Sequence, residues 1–231
     1  EPEAPETLDI DALPLERLAT VTLPAHHLRA ALHLAGKKDI RTHICSVLVE
    51  LHPDAPYIIA TEGVILGVFR SYYGDTDAPP ESVISINIPR DALEKLPKDK
   101  TSDEVTIATA DSAISLLCGG VSTTHKDAGK FPDWRRVLPP ADKIAHGAAV
   151  TIDPALIVKA EKAVHAFLNL KSSLFRAVPE ALAVRDSERG PFGAYLRFNT
   201  PDATVFAMAF RPHNDNAPEN PRSALPADAN P

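Results

Sequence analysis

Three segments of the chain repeat one layout, a short β-like run that meets a proline and passes into a helix: VTLP before AHHLRAAL, INIP before RDALEKL, and VTID before PALIVKA. The prolines are Pro24, Pro89 and Pro154, 65 residues apart in both intervals. Proline suits the opening turn of a helix, where its missing N–H has no intrahelical acceptor. A repeated supersecondary unit constrains a fold more than any local propensity does, because each unit buries its apolar face against its neighbours.

After each helix the hydrophobic period changes from 3.6 to 2, or to short β-rich runs, which is the pattern of strands. The first unit offers Ile44–Leu51, Tyr57–Thr61 and Val64–Phe69. The second offers Glu104–Thr109, Ala113–Cys118 and Val121–His125, with turns at Ala110-Asp111 and Gly119-Gly120. The third offers Ala177–Val184, Gly193–Phe198 and Thr204–Phe210. Each unit therefore reads β-α-β-β-β. Many strands with one short helix per unit predict an α+β fold with helices on one face of antiparallel sheet.

The 231 residues, 44% of them hydrophobic and 24% charged, suffice for one large domain or up to two ordinary ones and exclude disorder throughout. Residues 18–140 hold two units and 141–212 the third. Residues 1–17 and 213–231 read as disordered tails, because the proline-rich end from Pro212 to Pro231 holds no aromatic residue and one leucine. No run approaches the roughly 18 apolar residues of a membrane span, and the start, Glu1 to Asp11, is acidic. A cytoplasmic protein without membrane contact is expected. Cys45 and Cys118 lie in apolar segments without a Cys-x-x-Cys pair, so free thiols are expected rather than a disulfide or a zinc ribbon.

The formal charge of −7 argues against a protein basic all over. The helices segregate their charges nonetheless. In the first, Leu28, Ala31, Leu32 and Ala35 form an apolar stripe, with His26, Arg29, His33 and Lys37 opposite. In the third, Ile157, Ala160, Val164, Phe167 and Leu168 form the stripe, leaving Lys159, Lys162, His165 and Asn169 outside behind an Asp153 N-cap. The second contributes Arg90 and Lys95, followed by Lys98 and Lys100. Taken singly, each face is a solvated surface. Lined up on one concave surface, they would attract phosphates without reading sequence and with strong salt dependence.

Two further segments carry a family resemblance. GKFPDWRRVLPP, Gly129 to Pro140, resembles the Phe-Pro-Asp-aromatic-Arg-Arg-Val-Leu-Pro signature of the bacterial DNA polymerase III β subunit, the sliding clamp. ATEGVILGV, Ala60 to Val68, resembles that family's Ala-Thr-Asp-Gly strand turn. The resemblance implies that residues 18–140 form one whole clamp domain, that a ring of such domains surrounds double-stranded DNA, and that basic helices line its bore. Arg29, His33, Lys37, Arg41, Arg90, Lys95, Lys159 and Lys162 are then the expected DNA-binding residues.

The family also binds DNA polymerases, the clamp loader and repair proteins through a short peptide seated in a hydrophobic pocket. Carried over, that pocket would include Thr61, Gly63, Val64 and Leu66 from the turn and Pro132, Arg136 and Val137 from the signature. Phe206, Met208, Phe210 and Arg211 come from VFAMAFR, which resembles the family's terminal Val-Met-Pro-Met-Arg strand. The family's His-Arg after the turn glycine is Val64-Ile65 here and its terminal proline is Ala209, which predicts a pocket that is greasier or selective for another peptide. A ring of twelve half-domains would take four chains of three units, a homotetramer closed head to tail or by two-fold axes. No cofactor, metal or catalysis is implied.

Rival readings remain at this level. A clamp-derived module could sequester replication proteins without encircling DNA. His26, His27, His33, His43 and His52 invite a metal-dependent hydrolase, but their spacing is not that of a zinc helix, and no phosphate-cradling or nucleophile-turn glycine motif occurs. Asp133 with Arg135 and Arg136 reads either as part of the pocket or as a turn held by a local ion pair, and Trp134 as a core or junction anchor.

Overall fold

The computed structural model describes residues 19–75, 77–97, 103–110, 113–138, 144–146, 153–170, 179–186, 190–200 and 202–208. Unit one comprises β1 (Ala19–Pro24), α1 (Ala25–Leu32), β2 (Ser46–Leu51), β3 (Pro56–Thr61) and β4 (Ile65–Arg70). Unit two comprises β5 (Ile84–Pro89), α2 (Arg90–Glu94), β6 (Glu104–Ala110), β7 (Ala113–Cys118) and β8 (Val121–Lys126). Unit three comprises β9 (Ile144–His146), α3 (Pro154–Phe167), β10 (Pro179–Asp186), β11 (Gly190–Asn199) and β12 (Ala203–Met208). The β-α-β-β-β order thus appears three times, in an α+β fold.

The elements differ from the sequence reading in instructive ways. Thr42–Ile44 is one 3-10 turn instead of the start of a strand. Pro24 and Pro89 close their strands one place before the helix, each combining a φ near −60° with an extended ψ of 126° or 140°, whereas Pro154 lies inside the first turn of α3. There the Asp153 carboxylate accepts the Ala155 N–H at 2.8 Å, satisfying one of the orphan donors of the helix start. β9 lies upstream of the VTID segment, of which only Asp153 falls within the described residues.

The strands form two antiparallel sheets, ordered β1-β6-β7-β8 and β5-β2-β3-β4-β12-β11-β10-β9. The first strands of units one and two change places: β1 pairs with β6, and β5 with β2. Unit three keeps its first strand, β9, against its own β10 and joins unit one through β12 on β4, with Phe206 directly opposite Leu66.

Strand alternation then divides the burial. Val47, Val49, Ile58, Ala60, Ile65 and Phe69 face a core shared with α1, α2 and α3, while Leu48, Ile59 and Leu66 face a second, smaller cluster with Phe131 and Trp134. Every residue of β2 is buried, because this strand is covered on both faces.

α1 buries a wider arc than its predicted stripe, because it packs against α3 as well as the sheets. His27 and Ala30 join Leu28 and Ala31 inside, while Leu32 is left partly exposed. In α3, Leu156 and Ala163 are buried while Ile157 and Leu168 are only partly so. The His27 ring stacks on Phe167 at 4.1 Å, and its Nδ1 lies 2.8 Å from the Ser71 hydroxyl.

Burial, helped by the neighbouring His26, pushes the His27 pKa down to about 3. The unfolded chain takes up the proton at the ordinary value and the native chain does not. This contribution to stability is therefore intact above the ordinary pKa and lost as the pH falls toward the native one. Linkage sets the loss at about 2 kcal/mol between about pH 7 and pH 5. Urea unfolding at both pH values should show this slope in the native protein and a shallower one in His27→Gln. Equal slopes would mean that His27 is not the titrating group.

Candidate functional site

On the outer face of the β3–β4 hairpin the chain forms an apolar cleft of about 210 Å³. Its floor is Ile44, Ile65, Leu66 and Phe131, and its rim includes Val64, Pro132, Val137 and Phe206. The hairpin turn is set by Thr61, whose hydroxyl donates to the Ile65 carbonyl at 2.7 Å and accepts the Gly63 N–H at 3.0 Å. Gly63 takes φ +99°, which a side-chain-bearing residue rarely adopts, and a Cβ there would sit 3.0 Å from the Arg41 guanidinium. The cleft wall nearest unit three is Phe206, brought beside Leu66 by the β4–β12 register. Val64 and Val137 are 48% and 55% exposed, so apolar surface is displayed to solvent at this rim.

The signature segment is fastened to the sheet by a carboxylate that the sequence reading did not single out. Glu50, on the outer face of β2, accepts from Arg135 at 3.0 and 2.6 Å, one bond to each oxygen. It also accepts from the Trp134 indole at 3.2 Å and pairs with His52 at 3.2 Å. Burial pushes the Glu50 carboxyl up, but the bonds from Arg135, His52 and Trp134 outweigh it and hold the pKa below its ordinary value. The Arg135 guanidinium also lies over the Trp134 ring at 4.2 Å. Arg135 thus pairs with a residue 85 positions away instead of with Asp133.

Of the expected pocket residues, Thr61, Gly63, Val64, Leu66, Pro132, Val137 and Phe206 line the cleft. Arg136 is exposed and does not line it. Met208 ends β12, its side chain outside the described residues, and Phe210 and Arg211 lie beyond them altogether. The sequence reading missed Arg41, His43, Ile44, Ile65, Phe131 and Trp134 as lining residues, while Asp133, left open between pocket and turn, lines the cleft. Phe131 and Trp134 stood in the quoted signature, but nothing local told which of its side chains turn toward β3 and β4.

The expected DNA-binding cations are disposed unequally. Arg29 donates to the Pro97 carbonyl. Arg41 stands at the cleft rim and forms an ion pair with Asp39 at 2.8 Å. Arg90 donates to the Leu32 and Ala35 carbonyls at 2.8 and 2.7 Å, capping the end of α1, and pairs with Glu94. Lys159 binds both oxygens of Glu62 at 2.6 Å, tying α3 to the hairpin turn. Lys95 stands 3.9 Å from Asp91, while Lys37 and Lys162 are exposed. Desolvation, then Lys162 and Arg90, lower the pKa of His33, which places these three groups in one field spanning the three helices.

The histidines are scattered: His27 is in the core, His43 in the cleft, His52 on Glu50. Among the described residues no group of three or more His, Cys, Asp or Glu is placed to hold a metal ion. Among them, too, no helix is long and apolar enough to cross a membrane. Neither Cys45 nor Cys118 is in a disulfide.

No family model matches this sequence, and no curated protein matches it. Among solved structures, a DNA polymerase sliding clamp from Pseudomonas aeruginosa, described as with ligand, is similar over 83% of this chain with a TM-score of 0.55 and 16% identity. A second clamp from that organism, bound to griselimycin, is similar over 84% with a TM-score of 0.52 and 17% identity. A third is similar over 88% at the same score and identity. The chain spans 66%, 65% and 70% of the lengths of these clamps. Its three β-α-β-β-β units are a divergent version of the bacterial DNA polymerase III β sliding-clamp fold.

Proposed function

We propose that this protein is a non-enzymatic, sliding-clamp-like processivity factor of the cytoplasm, a homo-oligomeric ring around duplex DNA that tethers a polymerase or another replication partner. The observation that supports this reading best is the apolar cleft. The hairpin turn, the signature segment and β12 converge on it from three distant parts of the chain, and its exposed Val64 and Val137 suit the apolar side chains of a short partner peptide. A clamp loader that docks through such a peptide would use the same cleft.

The test uses fluorescence anisotropy with labelled peptides that carry two or three consecutive large apolar residues. Native protein should bind at least one of them, and Val137→Asp should weaken that binding about tenfold or more while leaving the thermal melt unchanged. Equal binding by the variant would remove the cleft from the proposal.

The ring is tested separately, by light scattering and by salt-sensitive retention on circular against linear DNA after loading. Four chains per particle is the expected mass of a closed ring of three-unit chains.

The internal engagement of Arg29, Arg41, Arg90 and Lys159 favours a second reading, a module that sequesters clamp-binding proteins and leaves DNA alone. With few unpaired cations on the helices among the described residues, counterion release would be small. Peptide binding without retention on any DNA would select this reading.

A further inference from the structure

We propose that a polar pocket beside the apolar cleft is a binding site for a guanidinium group. The pocket encloses about 380 Å³ between the outer face of β2 and β5 and the segment that runs from Asp127 to Arg135. Phe131, Pro132, Asp133 and Trp134 line both cavities, so the signature segment is the wall between them. A space of this size admits a group larger than a water molecule, whose share of liquid volume is about 30 Å³.

Strand alternation brings one unusual side chain to this pocket. Ile86 and Ile88 of β5 face the core, which turns Ser85 and Asn87 to the outer face beside Glu50 and Leu48, their partners in the β2–β5 register. Asparagine suits strands poorly, yet Asn87 is only 3% exposed. Its amide nitrogen donates to the Gly129 carbonyl at 2.8 Å, which sets the orientation of the amide, since a flip would bring two oxygens face to face. Oδ1 is the end left over, buried and without a partner among the described residues, on a side chain that lines the pocket. A buried acceptor costs stability until something donates to it.

The charges around Asn87 favour a cationic donor. Among the described residues the lining includes the carboxylates of Glu50, Asp127 and Asp133 and the cations of Lys130 and Arg135. Glu50 and Arg135 offset each other through two hydrogen bonds. Asp127 gives one oxygen to the Gly129 N–H at 2.6 Å, and Asp133 stands before the 3-10 turn at Trp134 without capping it through its side chain. Lys130 is exposed and keeps its ammonium in water. Two carboxylates and the Asn87 oxygen therefore remain for a ligand, against one solvated lysine.

A guanidinium meets these acceptors better than an ammonium does. It is planar, carries its donors in a rigid fork and is weakly hydrated, so it gives up less on entering a half-closed pocket. Phe131 and Trp134 supply flat apolar walls of the kind on which it stacks. Arg135 already shows such a fit, lying over the Trp134 ring at 4.2 Å with its fork held by Glu50. A second guanidinium takes the acceptors that Arg135 leaves free. It comes from a small guanidine compound or from an arginine of a partner protein, which present the same chemistry. The inference stands on this pocket and does not depend on DNA binding or on the apolar cleft.

The test titrates the full chain with methylguanidinium chloride well below denaturing concentrations, at an ionic strength held constant with sodium chloride. Trp134, the only tryptophan of the chain, lines the pocket and reports binding by its fluorescence. Methylguanidinium should give a saturable change, and tetramethylammonium, a cation without donors, should give none. Asp127→Asn combined with Asp133→Asn, which preserves shape and the bond to Gly129, should weaken the binding about threefold or more, whereas Lys130→Ala should tighten it. Asn87→Ala should abolish saturation; it also removes a tie to Gly129, so the charge variants decide if its melt falls. The labelled apolar peptides then separate the two sources. An arginine added at one end should tighten their binding to the native protein and not to the double aspartate variant if a partner supplies the group, and unchanged peptide affinity beside a positive methylguanidinium titration assigns the pocket to a small compound. A titration without saturation, an equal response to tetramethylammonium, or an affinity indifferent to the Asp127, Asp133 and Lys130 substitutions would each overturn the proposal.

Discussion

Arg135→Ala should lower the unfolding free energy by about 1–3 kcal/mol, the cost of depriving the buried Glu50 carboxylate of the two donors of a half-exposed partner. Glu50 is only 6% exposed, and Arg135 supplies both of its strongest bonds, so the variant leaves a carboxylate in the sheet face that, among the described residues, Trp134 and His52 alone serve. Glu50→Gln should cost far less, because Arg135 is half exposed and can turn to water. The pH dependence gives the same argument a sign. In the native protein Glu50 titrates below its ordinary value, so its contribution is present at neutral pH and lost as pH falls through the native pKa. In Arg135→Ala the bonds that most lower the pKa are gone, so the native pKa moves up toward the unfolded one and the contribution that is lost on acidification shrinks. The stability gap between native protein and variant should therefore narrow as pH falls from about 7 toward 4 in urea titrations. A gap that stays constant or widens would mean that Glu50 is charged and satisfied without Arg135. Because Pro132, Trp134 and Val137 hang from this anchor, the variant should also lose peptide binding at the cleft.

The units were legible in the sequence because their signals are local. The proline at the start of each helix, the switch of hydrophobic period and the Gly119-Gly120 turn lie within a few residues of the structure they determine. Pairing between units was not legible. That β1 crosses to β6, that β5 crosses to β2 and that β12 docks on β4 are matters of long-range register, and no window of twenty residues contains them. The cleft was half legible for the same reason. Thr61, Gly63, Val64 and Leu66 form one hairpin and Pro132 and Val137 one segment, whereas the Glu50–Arg135 bond that lays the segment on the hairpin spans 85 residues.

The cations show a different limit. Helical period tells which side chains share a face, but not whether a carbonyl or a carboxylate waits beside them. Arg90 was legible as a basic residue of the second helix. Its role follows from the end of α1, whose last carbonyls lack intrahelical donors and take the guanidinium instead. Lys159 likewise meets Glu62 from a different unit. The Asp39–Arg41 pair, two residues apart, and the Arg90–Glu94 and Lys95–Asp91 pairs, four apart, lay within reach of a local reading.

Phe69→Ala should cost about 3–5 kcal/mol, the range for truncating a fully buried aromatic ring whose surroundings cannot collapse. Phe69 is wholly buried on the inner face of β4, and its ring lies 5.1 Å from that of Phe167 on α3. Phe167 in turn stacks on His27 of α1, so three rings join unit one to unit three behind the β4–β12 ladder. The sheet has no slack there. A Cβ added at Gly67 would come within 2.3 Å of Leu34 and 2.9 Å of Phe69, which shows how closely the helix already approaches the strand. The void therefore stays open or admits water beside His27. Water would restore solvation to the imidazolium, so the variant should lose stability less steeply than the native protein between about pH 7 and pH 5, on top of its lower overall value. A coupled change of this kind separates a joint from a generic core residue: Leu23→Ala, in β1 and equally buried, should lower stability and leave the pH slope alone. If Phe69→Ala costs less than about 1 kcal/mol, or its slope matches that of Leu23→Ala, the three rings do not act as the joint between the units.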